Sequence, residues 1–298
     1  MIEIIADSIC DLPPSLMSHY QLKVLPLHVY LNEQEYRDKV DISTEAVYAA
    51  MRQDILPKTS QISLEDTLNQ FSACAQNSQD FIYPAFSAAL SGSCDLAKQV
   101  VQKLKVDYPH VQMAVIDTRS GAAAQGLITL QAVRMSQKNA AFADIVTNIN
   151  HMAAHVEHIF SMEDLNWLTK GGRIPKIAGK GGSILNIHPL LHVDNGAMKV
   201  IGAVRGSKKQ LHTLCDTALQ RLQNFPDQLI AIAHADDYAR ALEVRDYLST
   251  HTGLDDHHFL IQQIGSVLAT HLGLKGLGIF FFNERPPYYD LLEENLER

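Results

Sequence analysis

The sequence predicts an α/β protein of two domains, each a mainly parallel sheet flanked by helices. Short apolar runs rich in β-branched residues alternate with longer segments of helical periodicity, the pattern of βαβ units. The chain of 298 residues also exceeds what one hydrophobic core usually supports. Its composition, 46% hydrophobic and 19% charged with 16 Gly and 11 Pro, suits packed cores and argues against a disordered or collagen-like chain.

In order, strands are expected over 2–6, 23–31, 81–86 and 111–117, and helices over 44–52, 64–75, 95–106 and 121–137. The first helix opens with Ser43 as N-cap ahead of Ala46, Val47 and Ala50. A helix over 142–155 leads into a stretch of different character, so the first domain is placed at 1–155 and the second at 156–290. In the second half, strands over 190–193 and 198–201 flank Asp194-Asn195-Gly196, a turn that wants positive φ and hence makes a hairpin. Further strands are expected over 229–233, 259–264 and 278–282, helices over 208–223 and 238–250, and a charged tail over 291–298.

The formal charge of −8 and an isoelectric point near 5.9 argue against a dedicated nucleic-acid binder, whose domain is normally basic. The average conceals a basic stretch. From Leu165 to Leu211 lie Lys170, Arg173, Lys176, Lys180, Lys199, Arg205, Lys208 and Lys209 against the single acid Asp194. It reads either as a solvated face or as a docking surface for a membrane, a phosphate-bearing ligand or an acidic partner, in which case mutating, for example, Lys176 and Arg173 should weaken docking. Trp167 is its only aromatic, so a nucleic acid would lack stacking platforms. The first residues carry no basic n-region, no window reaches the length of a membrane span, and Cys10, Cys74, Cys94 and Cys215 never form CxxC. These features predict reduced thiols and a cytoplasmic location.

Several segments could carry chemistry. Thr59-Ser60-Gln61-Ile62-Ser63 precedes a helix, where hydroxyls and free backbone N–H groups attract an anion. The stretch 86–94, containing Leu90-Ser91-Gly92-Ser93, lies at the carboxyl end of a strand, the edge where open α/β sheets bind ligands. Capping is the ordinary alternative for both. Thr169-Lys170-Gly171-Gly172-Arg173 and Gly179-Lys180-Gly181-Gly182-Ser183 are glycine-rich and basic, but neither has phosphate-loop spacing. Arg205-Gly206 leads into a helix, and Thr270-His271 brings an imidazole into an apolar stretch. His151, His155 and His158, at i, i+4 and i+7, could meet zinc on one helix face with Glu157 nearby, although a solvated or core face is the simpler reading and no metal is expected.

Taken together, Asp7-Ser8, Asp11-Leu12-Pro13, Tyr36-Arg37-Asp38, Thr59-Ser60-Gln61, Leu90-Ser91-Gly92-Ser93, Ile116-Asp117, Lys170-Gly171-Gly172-Arg173-Ile174, Arg205-Gly206 with Lys208-Lys209, and Thr270-His271 resemble the DegV family over nearly the whole chain. The resemblance implies a two-domain α/β fold holding one long-chain fatty acid in an apolar tunnel, with no other cofactor. It further implies a carrier that presents the acyl carboxylate to a separate fatty-acid kinase. Thr59 and Ser91 would bind that carboxylate, and Arg205 and His271 would complete the head network. Ile62 replaces the family's proline, Ser93 its threonine, and Leu272-Gly273-Leu274 its Gly-Pro-Gly.

The physics of such a carrier is consistent. A buried carboxylate needs several donors, and about 15 methylenes at ~0.8 kcal/mol each give a gross gain of about 12 kcal/mol, less several kcal/mol for association. The helix start Gly121-Ala122-Ala123-Ala124-Gln125-Gly126 fits close packing or room for an acyl chain. The rival from another class is a serine hydrolase with Ser91 as nucleophile and His271 as base. Against it, Ser91 sits in Leu-Ser-Gly-Ser rather than G-x-S-x-G, and no acid is assigned to orient His271.

Overall fold

The computed structural model describes residues 1–163, 165–173 and 187–291. Lys176, Lys180, the glycine-rich stretch 179–183 and residues 292–298 of the charged tail lie outside the described residues. The first half runs β1 (Glu3–Asp7), α1 (Pro14–His19), β2 (Lys23–Leu25), β3 (His28–Leu31), β4 (Gln34–Arg37), α2 (Thr44–Met51), β5 (Lys58–Ser60), α3 (Leu64–Gln76), β6 (Phe81–Ala85), α4 (Ser93–Asp107), β7 (Met113–Asp117), α5 (Ala122–Gln137) and α6 (Phe142–His155). The second runs β8 (Val156–Ser161), α7 (Asn166–Gly171), β9 (Ile187–Asp194), β10 (Ala197–Arg205), α8 (Ser207–Leu222), β11 (Ile230–His234), α9 (Tyr238–Thr252), β12 (Phe259–Gln263), α10 (Ser266–Leu272) and β13 (Leu277–Phe282).

Local signals place many of these elements. Ser43 caps α2, its side chain accepting from Ala46 N at 3.2 Å, and Ser63 caps α3 in the same way at 2.9 Å. Asn195 and Gly196 both take positive φ, 48° and 81°, as a two-residue hairpin turn between β9 and β10 requires. The expected strand over 23–31 is two strands, because Pro26 has no N–H to continue a ladder.

The first sheet, β2-β1-β6-β7, is wholly parallel, and beside it β4-β3-β5 forms a small antiparallel sheet. The expectation of a mainly parallel second sheet needs correction. The six-stranded sheet β10-β9-β8-β13-β11-β12 is mixed, and its only parallel pairing among the described residues is β11 with β12. β11 and β12 are joined by the crossover helix α9, as parallel neighbours require, whereas β9 and β10 are joined by a tight turn that only antiparallel neighbours can use. The six-stranded sheet is built entirely from residues after α6, yet one packed core includes Ile5 and Phe81 from the first half with Ala231, Leu260 and Phe282 from the second.

Helix α5 explains how the halves share that core. Every residue from Ala122 to Ser136 is buried, as expected of a helix covered on all sides. It packs on β1 and β6 on one side and on β8, β11 and β13 on the other. A Cβ on Gly126 would fall 2.4 Å from the carbonyl oxygen of Cys10, so this glycine serves close packing. The four cysteines are free and buried. Among the described residues, no helix is long and apolar enough to cross a membrane.

Candidate functional site

Two buried aspartates near the end of β1 organise the neighbourhood. The Asp7 carboxylate accepts from the Tyr83 hydroxyl at 2.7 Å, from Phe86 N at 3.0 Å and from Gln125 Nε2 at 3.0 Å, which holds the chain where it leaves β6. Burial pushes its pKa up against these donors. Asp11 accepts from Lys39 Nζ at 3.0 Å and from Gly265 N at 3.0 Å, which fixes the residue before α10. The motif aspartates therefore aim two segments at one place: the turn after β6, carrying Ser91, and α10, carrying His271.

Thr59 reaches the same place from β5, paired opposite Val29. Thr59, Ser91 and His271, with Arg173, line a cavity of about 380 Å³ with its mouth included. Thr59 Oγ1 lies 2.7 Å from His271 Nε2. Ser91 Oγ lies 3.0 Å from Ser93 Oγ and accepts from Ser93 N at 3.3 Å, at the start of α4. His271 is 8% exposed. Burial, aided by the Arg173 charge, pushes its pKa down to about 4, so the imidazole is neutral at neutral pH.

Arg205 is the sequence-expected residue that the structure does not bring here. It is exposed at the end of β10 and lines neither this cavity nor its apolar neighbour. The guanidinium at the cavity is that of Arg173, which donates to the carbonyl of Gly171 and whose pKa burial lowers. Arg173 therefore faces the cavity rather than standing at the centre of a free docking face. Its route depends on the glycine pair before it. A Cβ on Gly171 would fall 2.3 Å from His271 Nδ1, and Gly172 ends α7 at φ 71°. This demand for two consecutive glycines was the sequence signal that α7 presses against another element.

An apolar cavity of about 550 Å³, mouth included, adjoins the polar one and shares Phe86, Leu90, Met198 and Leu268 with it as walls. Its size is in the range of small-molecule sites. Phe160, Leu272 and Phe280 continue the lining, and Gly121 and Ala122 at the start of α5 contribute as well. The glycine-alanine run thus lines the cavity at its beginning, where a Cβ on Gly121 would fall 2.4 Å from the Phe86 ring, and packs as closely at Gly126. His158 also lines this cavity. It lies on β8 rather than on α6, because the helix ends at His155, and it therefore cannot join His151 and His155 on a helix face.

A Clostridium perfringens DegV domain-containing protein is 30% identical over 284 residues, covering 94% of this chain and 97% of the relative. The crystal structure of a fatty acid (stearic acid)-binding protein from Eubacterium ventriosum superposes with a TM-score of 0.86 at 26% identity, covering 94% of this chain and 97% of that one. A fatty acid binding DegV family protein from Streptococcus agalactiae gives 0.82 at 26% identity, covering 96% and 99%. A family model described as "Uncharacterised protein, DegV family" matches residues 1–284, the span that contains all three sheets and every residue lining the two cavities, and the chain accordingly belongs to the DegV family.

Proposed function

We propose that the chain binds one long-chain fatty acid non-covalently, its carboxylate at Thr59, Ser91 and Arg173 and its tail in the apolar cavity. The observation that carries this reading is the adjacency of the two spaces: a hydroxyl-lined pocket with a guanidinium shares the walls Phe86, Leu90, Met198 and Leu268 with an apolar cavity. A carboxylate is costly to bury without donors, and charge-assisted bonds from Arg and hydroxyl groups offset that cost. His271 has a defined part. In the tautomer with the proton on Nε2 it donates to Thr59 Oγ1, which leaves the single Thr59 hydroxyl proton for the ligand. Stearic acid in the Eubacterium ventriosum protein supports the same class of ligand here.

The hydrolase reading is disfavoured by the same geometry. His271 Nε2 is engaged with Thr59 rather than Ser91, and Nδ1 has no hydrogen-bond partner among the described residues to orient it as a base. Presentation of the bound carboxylate to a fatty-acid kinase is the second part of the proposal. Arg205, Lys208 and Lys209, exposed where β10 meets α8, are suited to dock an acidic partner or an anionic membrane surface. Native mass spectrometry of the purified protein followed by lipid extraction tests the ligand. A stoichiometric fatty acid supports the proposal, and its repeated absence with no binding on titration sinks it. Charge reversal at Arg205 and Lys208 should weaken kinase coupling and leave lipid binding intact.

A further inference from the structure

Away from both cavities, two histidines and a glutamate converge at the end of α6. His151 and His155 stand one helical turn apart on one face, their rings stacked with centroids 4.5 Å apart and planes inclined by 26°. Glu284 reaches them from the chain leaving β13. Backbone bonding sets its position: Phe282 pairs with Val156 across the β13–β8 ladder, and Asn283 N donates to the carbonyl of His155 at 2.9 Å. One carboxylate oxygen of Glu284 then lies 3.7 Å from His151 Nε2 and the other 3.6 Å from His155 Nδ1.

We propose that His151, His155 and Glu284 bind a divalent transition-metal ion of the zinc type. Two imidazoles and one carboxylate are a donor set that zinc accepts, with a further position left for water. A tetrahedral ion with ligands at about 2.0–2.1 Å holds neighbouring donor atoms about 3.3–3.4 Å apart. The contacts of 3.7 and 3.6 Å are made by the two different oxygens of Glu284, and the three donor atoms lie within 4.8 Å of one another, so side-chain shifts of at most about 1.5 Å bring them to that spacing.

Independent observations favour a cation over a plain His–Glu ion pair. His151 Nε2 is shielded from solvent and has no hydrogen-bond partner, a costly state that a contact at 3.7 Å does not relieve and a metal bond does. The surroundings also hold the neighbourhood in place: the Asn283 amide donates to Glu157 at 2.7 Å and Glu157 is held by Arg221 at 2.7 Å, while Asn283 Oδ1 lies 3.2 Å from His155 Nδ1, a contact that Nδ1 gives up when it ligates the ion. The cluster also lies at the C-terminal turn of α6, where the helix dipole attracts positive charge. The ion would tie the last helix of the first half to the end of the last strand.

Zinc chloride titrated calorimetrically into the chelator-treated full chain should show one saturable site. His155→Ala and Glu284→Ala should each weaken it by about tenfold or more, while His110→Ala leaves it unchanged. Cobalt(II) in place of zinc should give tetrahedral visible absorption bands that vanish in the same variants. The Glu284 side chain is 59% exposed, so its variant should fold normally and decides the matter even where a histidine variant is unstable. Absence of saturable zinc binding, or undiminished affinity in Glu284→Ala and His155→Ala, overturns the proposal.

Discussion

His271 and His158 line two adjoining cavities, and they differ in company. Both are buried, at 8% and 4% exposure, and burial drives both pKa values down, to about 4 and about 3. At the polar end His271 faces the Thr59 hydroxyl at 2.7 Å and feels the Arg173 charge. At the apolar cavity His158 meets the Phe280 ring edge-on at 5.7 Å, and among the described residues neither nitrogen has a partner at hydrogen-bond distance. Burial outweighs the nearby Val156 backbone, which opposes the fall in its pKa. The two imidazoles therefore differ in what stands beside them, and the proposed head-group end is the one with a hydroxyl and a guanidinium.

The strongest way to break this contrast is to remove the guanidinium. Arg173→Leu should cost about 2–5 kcal/mol of fatty-acid binding, the range for truncating a buried charge partner, whereas Arg205→Leu should change affinity by less than about twofold because an exposed charge contributes little. Displacement of a fluorescent fatty acid measures both. The reverse order would move the head group to Arg205. The apolar end is read by acid instead. An unfolded histidine takes up a proton below about pH 6.5, but folded His158 does so only near 3. The unfolded state therefore holds more protons between these values, and stability falls as pH drops through that window. Between pH 6.5 and 4.5 the wild type should lose about 2–3 kcal/mol more than His158→Leu in urea unfolding; parallel curves would mean that His158 is hydrated or charged in the folded protein.

The contrast also marks what was readable in the chain. Thr59, Ser91 and His271 lie in short segments whose hydroxyls or imidazole precede or interrupt regular elements, but position alone left capping as the ordinary alternative; the resemblance to the family singled out the three residues, and the structure places all of them around one cavity. Helix α6 and the β9–β10 hairpin followed from periodicity and turn chemistry, which are local. Strand β8 was not legible: Val156-Glu157-His158-Ile159-Phe160-Ser161 follows α6 without a glycine or proline to mark the change. The choice between Arg173 and Arg205 was not legible either. Both adjoin a glycine in a basic stretch, and only the packing of α7 on α10, allowed by Gly171, decides which guanidinium points inward.

Smaller effects should sharpen the division of work among the hydroxyls. Thr59→Val keeps the shape and removes the only hydroxyl that His271 supports, so it should cost about 1.5–3 kcal/mol of binding, the range for a hydrogen bond to a charged group. Ser91→Ala should cost less, about 1 kcal/mol or roughly fivefold. Ser93 Oγ lies 3.0 Å from Ser91 Oγ, and once freed from that contact it can turn toward the same anion, as Thr59 has no neighbouring hydroxyl to do for it at comparable distance. The double variant Ser91→Ala/Ser93→Ala should then fall to the level of Thr59→Val, measured by the same displacement assay. A double variant no weaker than Ser91→Ala alone would show that Ser93 serves only the start of α4, where its oxygen already faces Ile62 N at 3.4 Å.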